Sequence, residues 1–440
     1  MKFGGTSVAD AAAFENVARI VGNEREAAPV VVVSAMSGVT DALLAATNIA
    51  SLQEVFERHR RVSRELLEDN KAFTELLSSA EQEIDRLLEG TGERKLLQDA
   101  VVSFGEILSS ALLAELLNQR GNTARQVDAR RCIVTDEEHT SAAPLMTETF
   151  ARSKSELLPI IESGVVPVLG GFIGATTRGV TTTLGRGGSD YTAALLGAAL
   201  GATEIQIWTD VTGVLTADPR VVPEAQTIER LSYSEAAELA YFGAKVLHPK
   251  TIQPAIESSI PVRICNSRAP QEAGTLVGPQ SETSPRTVKA IAHKTGVTTV
   301  QITSLRMLGA YGFLRALFEV FDKHRTVVDV VTTSEVSVSL SLDDASALPA
   351  IVEELERLGT VRVESGRAIV CVVGEGLRGT PGIAARVFST ISDINVTLIS
   401  QGASSINFTF AIEEERVREA ITRLHEEFFA TKRHRTEGMV

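Results

Sequence analysis

The densest collection of residues suited to handling an anion is Thr181-Thr182-Thr183-Leu184-Gly185-Arg186-Gly187-Gly188-Ser189-Asp190, followed by a helical pattern over residues 191–200. Ser189 or Asp190 is placed to cap that helix. The free N–H groups of its first turn, with the glycine backbone before it, would make an anion cradle. Arg186 adds a planar fork matched to a carboxylate or a phosphate. Two more loops are alike: residues 2–7 (Lys-Phe-Gly-Gly-Thr-Ser) and 34–40 (Ser-Ala-Met-Ser-Gly-Val-Thr), each beside an apparent helix start. One glycine-rich turn is ordinarily only a turn. Three such loops, two with a built-in cation, point to phosphate handling.

These loops need a frame, and the hydrophobic pattern supplies one. Over residues 1–275 short β-like runs alternate with helical stretches; 29–34, 165–170, 204–209 and 260–265 are apolar enough to be buried central strands. That is the pattern of a mostly parallel sheet with helices on both faces. Residues 42–121 read instead as charged, Leu-rich amphipathic helices, expected to form a helical insertion. The polar, two-proline stretch 278–286 marks a domain boundary. Beyond it strand–helix–strand–strand patterns at 298–303, 312–324, 327–332 and 336–342 recur at 368–373, 382–391, 396–400 and 406–412. A further helix closes each unit, at 347–358 and 414–429, so two tandem βαββα modules are expected. Within the first part, Trp208-Thr209-Asp210-Val211-Thr212-Gly213 ends a strand, where open α/β sheets bind ligands. Asp218-Pro219-Arg220 follows in a loop. Lys245, just after a Gly-Ala step, reads on its own as a solvated helix lysine, and His248 beside Pro249 as a structural histidine.

Composition bounds the function. The 440 residues suit two or three domains, each long enough to bury its own core. Forty-three Lys and Arg against 56 Asp and Glu leave a formal charge of -13, so neither nucleic acid nor an anionic membrane is an expected partner. An anionic substrate would need a local positive island. No signal-peptide core and no uninterrupted membrane-length apolar run is present. Cys132, Cys265 and Cys371 are too few and too far apart for a disulfide framework or a zinc site, which suits a reducing cytoplasm. No G-x-x-x-x-G-K-[ST] motif occurs. Residues 374–379 match G-x-G-x-x-G, but Pro381 and the short remaining chain leave no room for a doubly wound sheet.

Taken in order, residues 2–7, 34–40, Ser103-Phe104-Gly105-Glu106, 181–190, 208–213, 218–220 and 242–249 resemble the aspartate kinases of the amino-acid kinase family. The tandem repeat is similar to the paired ACT modules these enzymes carry. The resemblance implies an α/β three-layer sandwich with a mostly parallel central sheet over residues 1–280, followed by ferredoxin-like ACT modules at 281–365 and 366–440. It implies transfer of the ATP γ-phosphoryl group to the β-carboxylate of L-aspartate, at the head of lysine, threonine and methionine biosynthesis. Mg²⁺ would be held mainly through the phosphates, with no side-chain metal cage. A carboxylate acceptor is already ionised at neutral pH, so positioning and charge stabilisation carry the chemistry rather than a general base.

By the same resemblance Lys2 and Asp190 are catalytic, Lys2 at the β/γ-phosphates and Asp190 orienting it. Gly4 and Gly5 supply N–H groups. Ser34, Thr40, Glu106, Phe172, Arg186, Gly187, Gly188 and Ser189 bind aspartate, Glu106 at its ammonium and Arg186 at a carboxylate. Thr209, Asp210, Leu215, Arg220, Lys245 and Val246 line the nucleotide site, with Leu215 where lysine-sensitive relatives tend to have tyrosine. The family usually has a hydrophobic strand before Lys-Phe-Gly-Gly where only Met1 precedes it here, so either the start is misplaced or a central strand is clipped. In the first ACT module Met307, Gly312, Phe313, Leu314, Val328, Asp329, Ser334, Glu335 and Val336 resemble a lysine-effector site, the other reading being a solvated hairpin edge. Pairing of ACT modules implies a homodimer. A kinase for another acid, or an amino-acid sensor with a silent kinase domain, are the competing readings.

Overall fold

The computed structural model describes residues 1–243, 247, 249–279, 287–309, 311–402 and 404–430. The chain forms two compact units. The first comprises Met1–Val214, Glu229–Tyr233 and Val246–Gln280, and the second Leu215–Ile228, Ser234–Lys245 and Ser281–Val440. Packing thus groups two segments that precede residue 280 with the C-terminal modules.

In the first unit the elements run β1 (Lys2–Phe3), α1 (Ala11–Asn23), β2 (Val31–Val33), α2 (Val39–Ala45), α3 (Gln53–Leu66), α4 (Lys71–Glu89), α5 (Arg94–Gln119), β3 (Ala124–Val127) and β4 (Val134–Thr135). They continue as α6 (Met146–Glu162), β5 (Val166–Gly170), β6 (Ile173–Thr176), β7 (Thr181–Thr183), α7 (Gly188–Leu200), β8 (Ile205–Thr209) and β9 (Arg230–Ser232). The next helix, α8 (Tyr233–Tyr241), belongs to the second unit except for its first residue, and α9 (Gln253–Glu257), β10 (Val262–Asn266) and β11 (Thr275–Gly278) complete the first. The sheet order is β3-β5-β2-β1-β8-β10-β11-β9, parallel throughout except for the β10–β11 pair. The four strands expected from β-branched runs are all in it, as β2, β5, β8 and β10. β4, β6 and β7 form a separate small sheet.

β1 is short, as expected, but it is central. Lys2 pairs with Val32 on one side and Ile207 on the other, and the Met1 carbonyl extends the ladder by accepting from Val32 N–H at 2.9 Å. The Phe3 ring, fully buried, stacks on Trp208 at 5.8 Å between centroids. These contacts fix the backbone from which the Lys2 side chain departs.

The helical stretch differs from a simple insertion. α3 and α4 are amphipathic, with one apolar face each. α5 is buried around nearly its whole circumference, because strands β5 and β3 lie against one side of it and α2 and α4 against another. It is a core layer of the sandwich. Its length and apolar composition would let it cross a membrane, yet most of that stretch is buried inside the unit. On the opposite face α6 and α7 pack together, and Val32 points toward them while Val31 and Val33 join the core with α5.

In the second unit β12 (Ala290–Thr303), α10 (Phe313–Lys323), β13 (Val331–Thr333), β14 (Ser337–Leu342) and α11 (Leu348–Leu355) are followed by β15 (Thr360–Val373), α12 (Ile383–Thr390), β16 (Leu398–Gln401), β17 (Asn407–Glu413) and α13 (Val417–Phe429). The repeat is present, but the modules are not separate sheets. Long β12 and β15 pair antiparallel and fuse them into one six-stranded sheet, β13-β14-β12-β15-β17-β16. The 374–379 motif sits after a strand of this antiparallel sheet, not in a parallel βαβ unit, so it is no dinucleotide fingerprint. Ala217 and Val222 join the core of the second module, and Lys289 pairs with Glu235 at 2.9 Å, both buried.

Close approach of α5 to the β2–α2 connection depends on Gly105. A Cβ there would stand 2.8 Å from the Ala35 Cβ. Gly105→Ala would gain about 1 kcal/mol of helix propensity but incur an overpacking cost of about 1 to 3 kcal/mol. The expected result is net destabilisation of about 1 kcal/mol, seen in thermal unfolding as a melting temperature lower by about 2 to 4 °C.

Candidate active site

Parallel strands deliver their C-terminal ends to the same edge of a sheet. Here β1, β2, β5 and β8 open at that edge into Gly4-Gly5, Ser34, Gly171-Phe172 and Asp210. Next to these loops is a cavity of about 520 Å³ whose lining includes Lys2, Ser34, Thr40, Glu106, Phe172, Arg186, Gly187, Gly188, Ser189 and Asp190. Every residue singled out above as catalytic or aspartate-binding is among them.

Lys2 Nζ lies 2.6 Å from Asp190 Oδ1, with the two side chains 11% and 19% exposed. Asp190 is in the first turn of α7, so this ion pair ties the central strand to the start of that helix. α7 begins at Gly188, three residues before the start read from the helical pattern, and neither Ser189 nor Asp190 caps it. The N-cap is Gly187, at φ 73°, and no side-chain cap bond is made. A left-handed glycine turn takes the place of a polar cap and leaves the first N–H groups of the helix with no partner inside it. Arg186, immediately before this turn, is exposed and has no ion-pair partner among the described residues.

Glu106 is buried in the middle of α5. Its Oε1 accepts from Ala35 N–H at 3.2 Å, while Oε2 has no hydrogen-bond partner among the described residues. Burial pushes its carboxyl up from 4.5 to about 8, against the smaller opposing effect of the Ala35 bond. A carboxyl held this way gains most from an arriving cation that can take up the free oxygen.

Phe172 has φ 68°, a conformation that costs a non-glycine residue about 1 to 3 kcal/mol. Buried Thr192 holds it: its Oγ1 accepts from Phe172 N–H at 3.0 Å and donates to the Gly188 carbonyl at 2.9 Å. Ser34 and Thr40 flank the β2–α2 turn, with Ser34 N–H donating to the Phe3 carbonyl at 3.1 Å.

Gly4 departs from expectation. Its N–H donates to the Trp208 carbonyl at 3.1 Å, so it is spent inside the sheet rather than offered to a ligand. Gly5 opens a 3-10 turn over Gly5–Val8, where a first-turn N–H has no helical partner. Thr209 and Asp210 end β8; the Thr209 carbonyl accepts from Ser267 N–H at 2.8 Å, and Asp210 is exposed. Leu215 and Arg220 belong to the second unit. Leu215 bridges to Thr227, and the Arg220 guanidinium is closed on Asp218 at 2.6 to 3.1 Å. Lys245, Val246 and His248 lie outside the described residues.

In the first C-terminal module Met307, Phe313 and Val328 are half-buried against the module core. Gly312 precedes α10 at φ 81°, and Leu314 is exposed. Ser334 closes the β13–β14 hairpin by accepting from Ser337 N–H at 3.1 Å, Glu335 is exposed, and the Val336 carbonyl accepts from Ser304 N–H. Asp329 is engaged already. It accepts from the Tyr241 hydroxyl and lies 3.9 Å from Lys294 Nζ, which sits 4.9 Å from the Tyr241 ring centroid. Burial raises the Asp329 carboxyl above its ordinary value and the Tyr241 phenol above its own.

The cavity also exposes Asp99 and Thr140, which the sequence did not single out, beside Thr183 of the 181–190 stretch. Asp99 carries no motif. Its one legible signal is a spacing of seven residues from Glu106, which on a helix is the same face. No group of three or more His, Cys, Asp or Glu among the described residues could cage a metal.

The amino acid kinase family model matches residues 1–266, and an ACT domain model matches 370–428. The chain is 41% identical to aspartokinase 3 of Arabidopsis thaliana (chloroplastic), over 98% of this chain and 81% of that one. It superposes on Escherichia coli aspartokinase III in complex with aspartate and ADP (R-state) with a TM-score of 0.82 at 37% identity, covering 97% and 99% of the two chains. Against the same enzyme in complex with lysine and aspartate (T-state) the TM-score is 0.81 at 38% identity, covering 97% and 98%. The chain belongs to the amino acid kinase family. Its activity is that of an aspartate kinase, an ATP-dependent phosphotransferase acting on a carboxylate.

The Glu106 carboxyl also links folding to pH. A folded value near 8 against an unfolded value near 4.5 means the folded state holds a proton the unfolded state has lost. Its contribution to stability is full below about 4.5 and is lost as pH rises through about 8. Denaturant titrations across that window should show stability falling with pH, and Glu106→Gln should flatten this slope.

Proposed function

We propose that the cavity binds L-aspartate by its two ends and presents the β-carboxylate to ATP held at the Lys2 edge. The observation that carries this reading is buried Glu106, whose Oε2 has no partner among the described residues, in the same cavity as an exposed Arg186 with no ion-pair partner among them. Glu106 takes the substrate ammonium, and Arg186, with the N–H groups of Ser189 and Asp190 in the first turn of α7, takes the α-carboxylate, the Gly188 N–H being spent on the Gly185 carbonyl. Ser34, Thr40, Gly187 and Gly188 line the remaining surface, and Phe172 walls it. Lys2, oriented by Asp190, faces the β/γ-phosphates and offsets the charge that spreads over the transferring group. Asp190 thereby acts on the phosphates only through Lys2. Gly5, Thr209 and Asp210 belong to the nucleotide side in this reading.

Mg²⁺ would come in with the nucleotide, held mainly through the phosphates, whose charge it would neutralise when bound. The nucleophile needs no deprotonation, because a carboxylate is already ionised at neutral pH. The product is 4-phospho-L-aspartate. Three free, buried cysteines suit a cytoplasmic setting for this reaction.

Regulation by L-lysine at the first C-terminal module is part of the proposal, with Asp329 and Glu335 as partners for its ammonium. Asp329 accepts from the Tyr241 hydroxyl before any effector arrives, while Lys294, 3.9 Å away, pairs more closely with Asp343, so the effector must displace the Tyr241 bond. A homodimer formed through the C-terminal modules is part of the same proposal.

Hydroxamate formation from aspartate, ATP, Mg²⁺ and hydroxylamine tests the catalytic reading. Lys2→Met should lower kcat by about 10²- to 10³-fold, and turnover unchanged by it would remove Lys2 from the mechanism. In the wild type kcat/KM for aspartate should rise with pH up to about 8, because only ionised Glu106 pairs with the ammonium. Lysine should suppress turnover, and Tyr241→Phe, by freeing Asp329, should lower the half-inhibitory lysine concentration by about 2- to 10-fold. A variant equally or less sensitive to lysine would refute the competition at Asp329.

A further inference from the structure

Asp99 lies on α5 seven residues before Glu106, and its side chain is buried on the wall of the same cavity. Its carboxylate gathers donors from two other elements. Oδ1 accepts from the Thr183 hydroxyl at 2.6 Å and from Thr140 N–H at 3.1 Å; Oδ2 accepts from Thr140 N–H at 3.0 Å and from His139 Nδ1 at 2.8 Å. Thr183 is the last residue of β7 and leads directly into the Leu184–Gly187 loop that carries Arg186. Thr140 has φ 72°, a conformation a β-branched residue adopts only under constraint. The Thr140 carbonyl and Ser141 hydroxyl lie 3.5 and 3.3 Å from where a Cβ on Gly185 would stand. The strained 139–141 segment therefore braces the Arg186 loop from one side, while Thr183 anchors its root.

We propose that Asp99 is a positioning residue that sets the separation between the two ends of the aspartate site, and so its selectivity for aspartate over longer amino acids. This rests on the reading of Glu106 and Arg186 given above. Two turns of one helix, roughly 10 Å of rise, join the carboxylate that receives the ammonium to the carboxylate that pins the loop receiving the α-carboxylate. α5 is buried on all sides and cannot shift independently of either end. A substrate one methylene longer would have to move the Arg186 loop, and Asp99 resists that movement through all its donors at once. Asp99 touches neither substrate nor phosphate in this scheme; it acts through Thr183, Thr140 and the loop they hold.

Two variants test it. Thr183→Val removes one donor at nearly constant shape, and Asp99→Asn keeps the shape of the side chain while spoiling its acceptor pattern. In each, the KM for aspartate should rise about tenfold, the KM for ATP should stay within about twofold, and the preference for aspartate over glutamate in kcat/KM should fall. Thermal unfolding is measured alongside, because a purely structural role would lower stability without separating the two Michaelis constants. If Asp99→Asn does not fold, Thr183→Val alone decides. An aspartate KM unchanged in folded variants, or aspartate and ATP constants rising together, would overturn the proposal while leaving the kinase reading intact. A wild-type chain that forms no aspartate-dependent hydroxamate would overturn both.

Discussion

Parallel pairing of β5, β2, β1 and β8 is the constraint from which the site follows. Four strands running the same way must all turn at one edge, so one sheet brings loops from residues 4, 34, 171 and 210 into one neighbourhood. β1 has only two residues, yet it is central and paired on both flanks, and that is what fixes Lys2. A lysine on a rigid central strand, paired with Asp190 at 2.6 Å, has its rotamer chosen before any phosphate arrives. For a reaction whose acceptor is already ionised, such preorganised charge is the main thing a protein can contribute.

The second constraint is α5. A helix buried on all sides positions polar groups with little freedom, and this one carries two carboxylates on one face. They meet opposite fates. Asp99 is saturated by Thr183, Thr140 and His139, whereas Glu106 keeps one oxygen free and its carboxyl is driven to about 8. A saturated carboxylate serves the fold of its neighbours, and an unsaturated one is stored affinity for a cation. Close contact between α5 and the β2–α2 turn, needed for both, is possible because Gly105 presents no Cβ to Ala35.

Much of this was legible in the residues. The central strands stood out because β-branched runs bounded by Gly and Ser have few alternatives, and the glycine loops stood out by composition. Where reading failed, a local preference had been overruled. A polar cap was expected for α7, but a left-handed glycine at 187 starts it earlier and frees its N–H groups more completely than a capping side chain would have. The N–H of Gly4 looked available, but a two-residue central strand borrows it to extend its ladder to Trp208. α5 looked like part of an insertion, since its partners on the sheet side lie far away in sequence. Asp99 was invisible for the same reason: a lone aspartate acquires meaning only when residues 139, 140 and 183 are folded against it.

The second unit follows the same logic on the regulatory side. Fusion of the two modules through β12 and β15 makes them one body with a continuous six-stranded sheet. Asp329 is poised in that body in contact with Tyr241 and near Lys294, both of which lie outside the loop that presents it. A buried acid held by a neutral hydroxyl and a nearby cation is a weakly satisfied group, because desolvation favours its protonated form while the cation favours the charged one. In the proposed regulation an ammonium docking there would replace the Tyr241 hydroxyl with a stronger partner and release Tyr241 at the C-terminal end of α8. Effector binding would then be transmitted by the exchange of one hydrogen-bond partner, without rearranging the sheet that carries it.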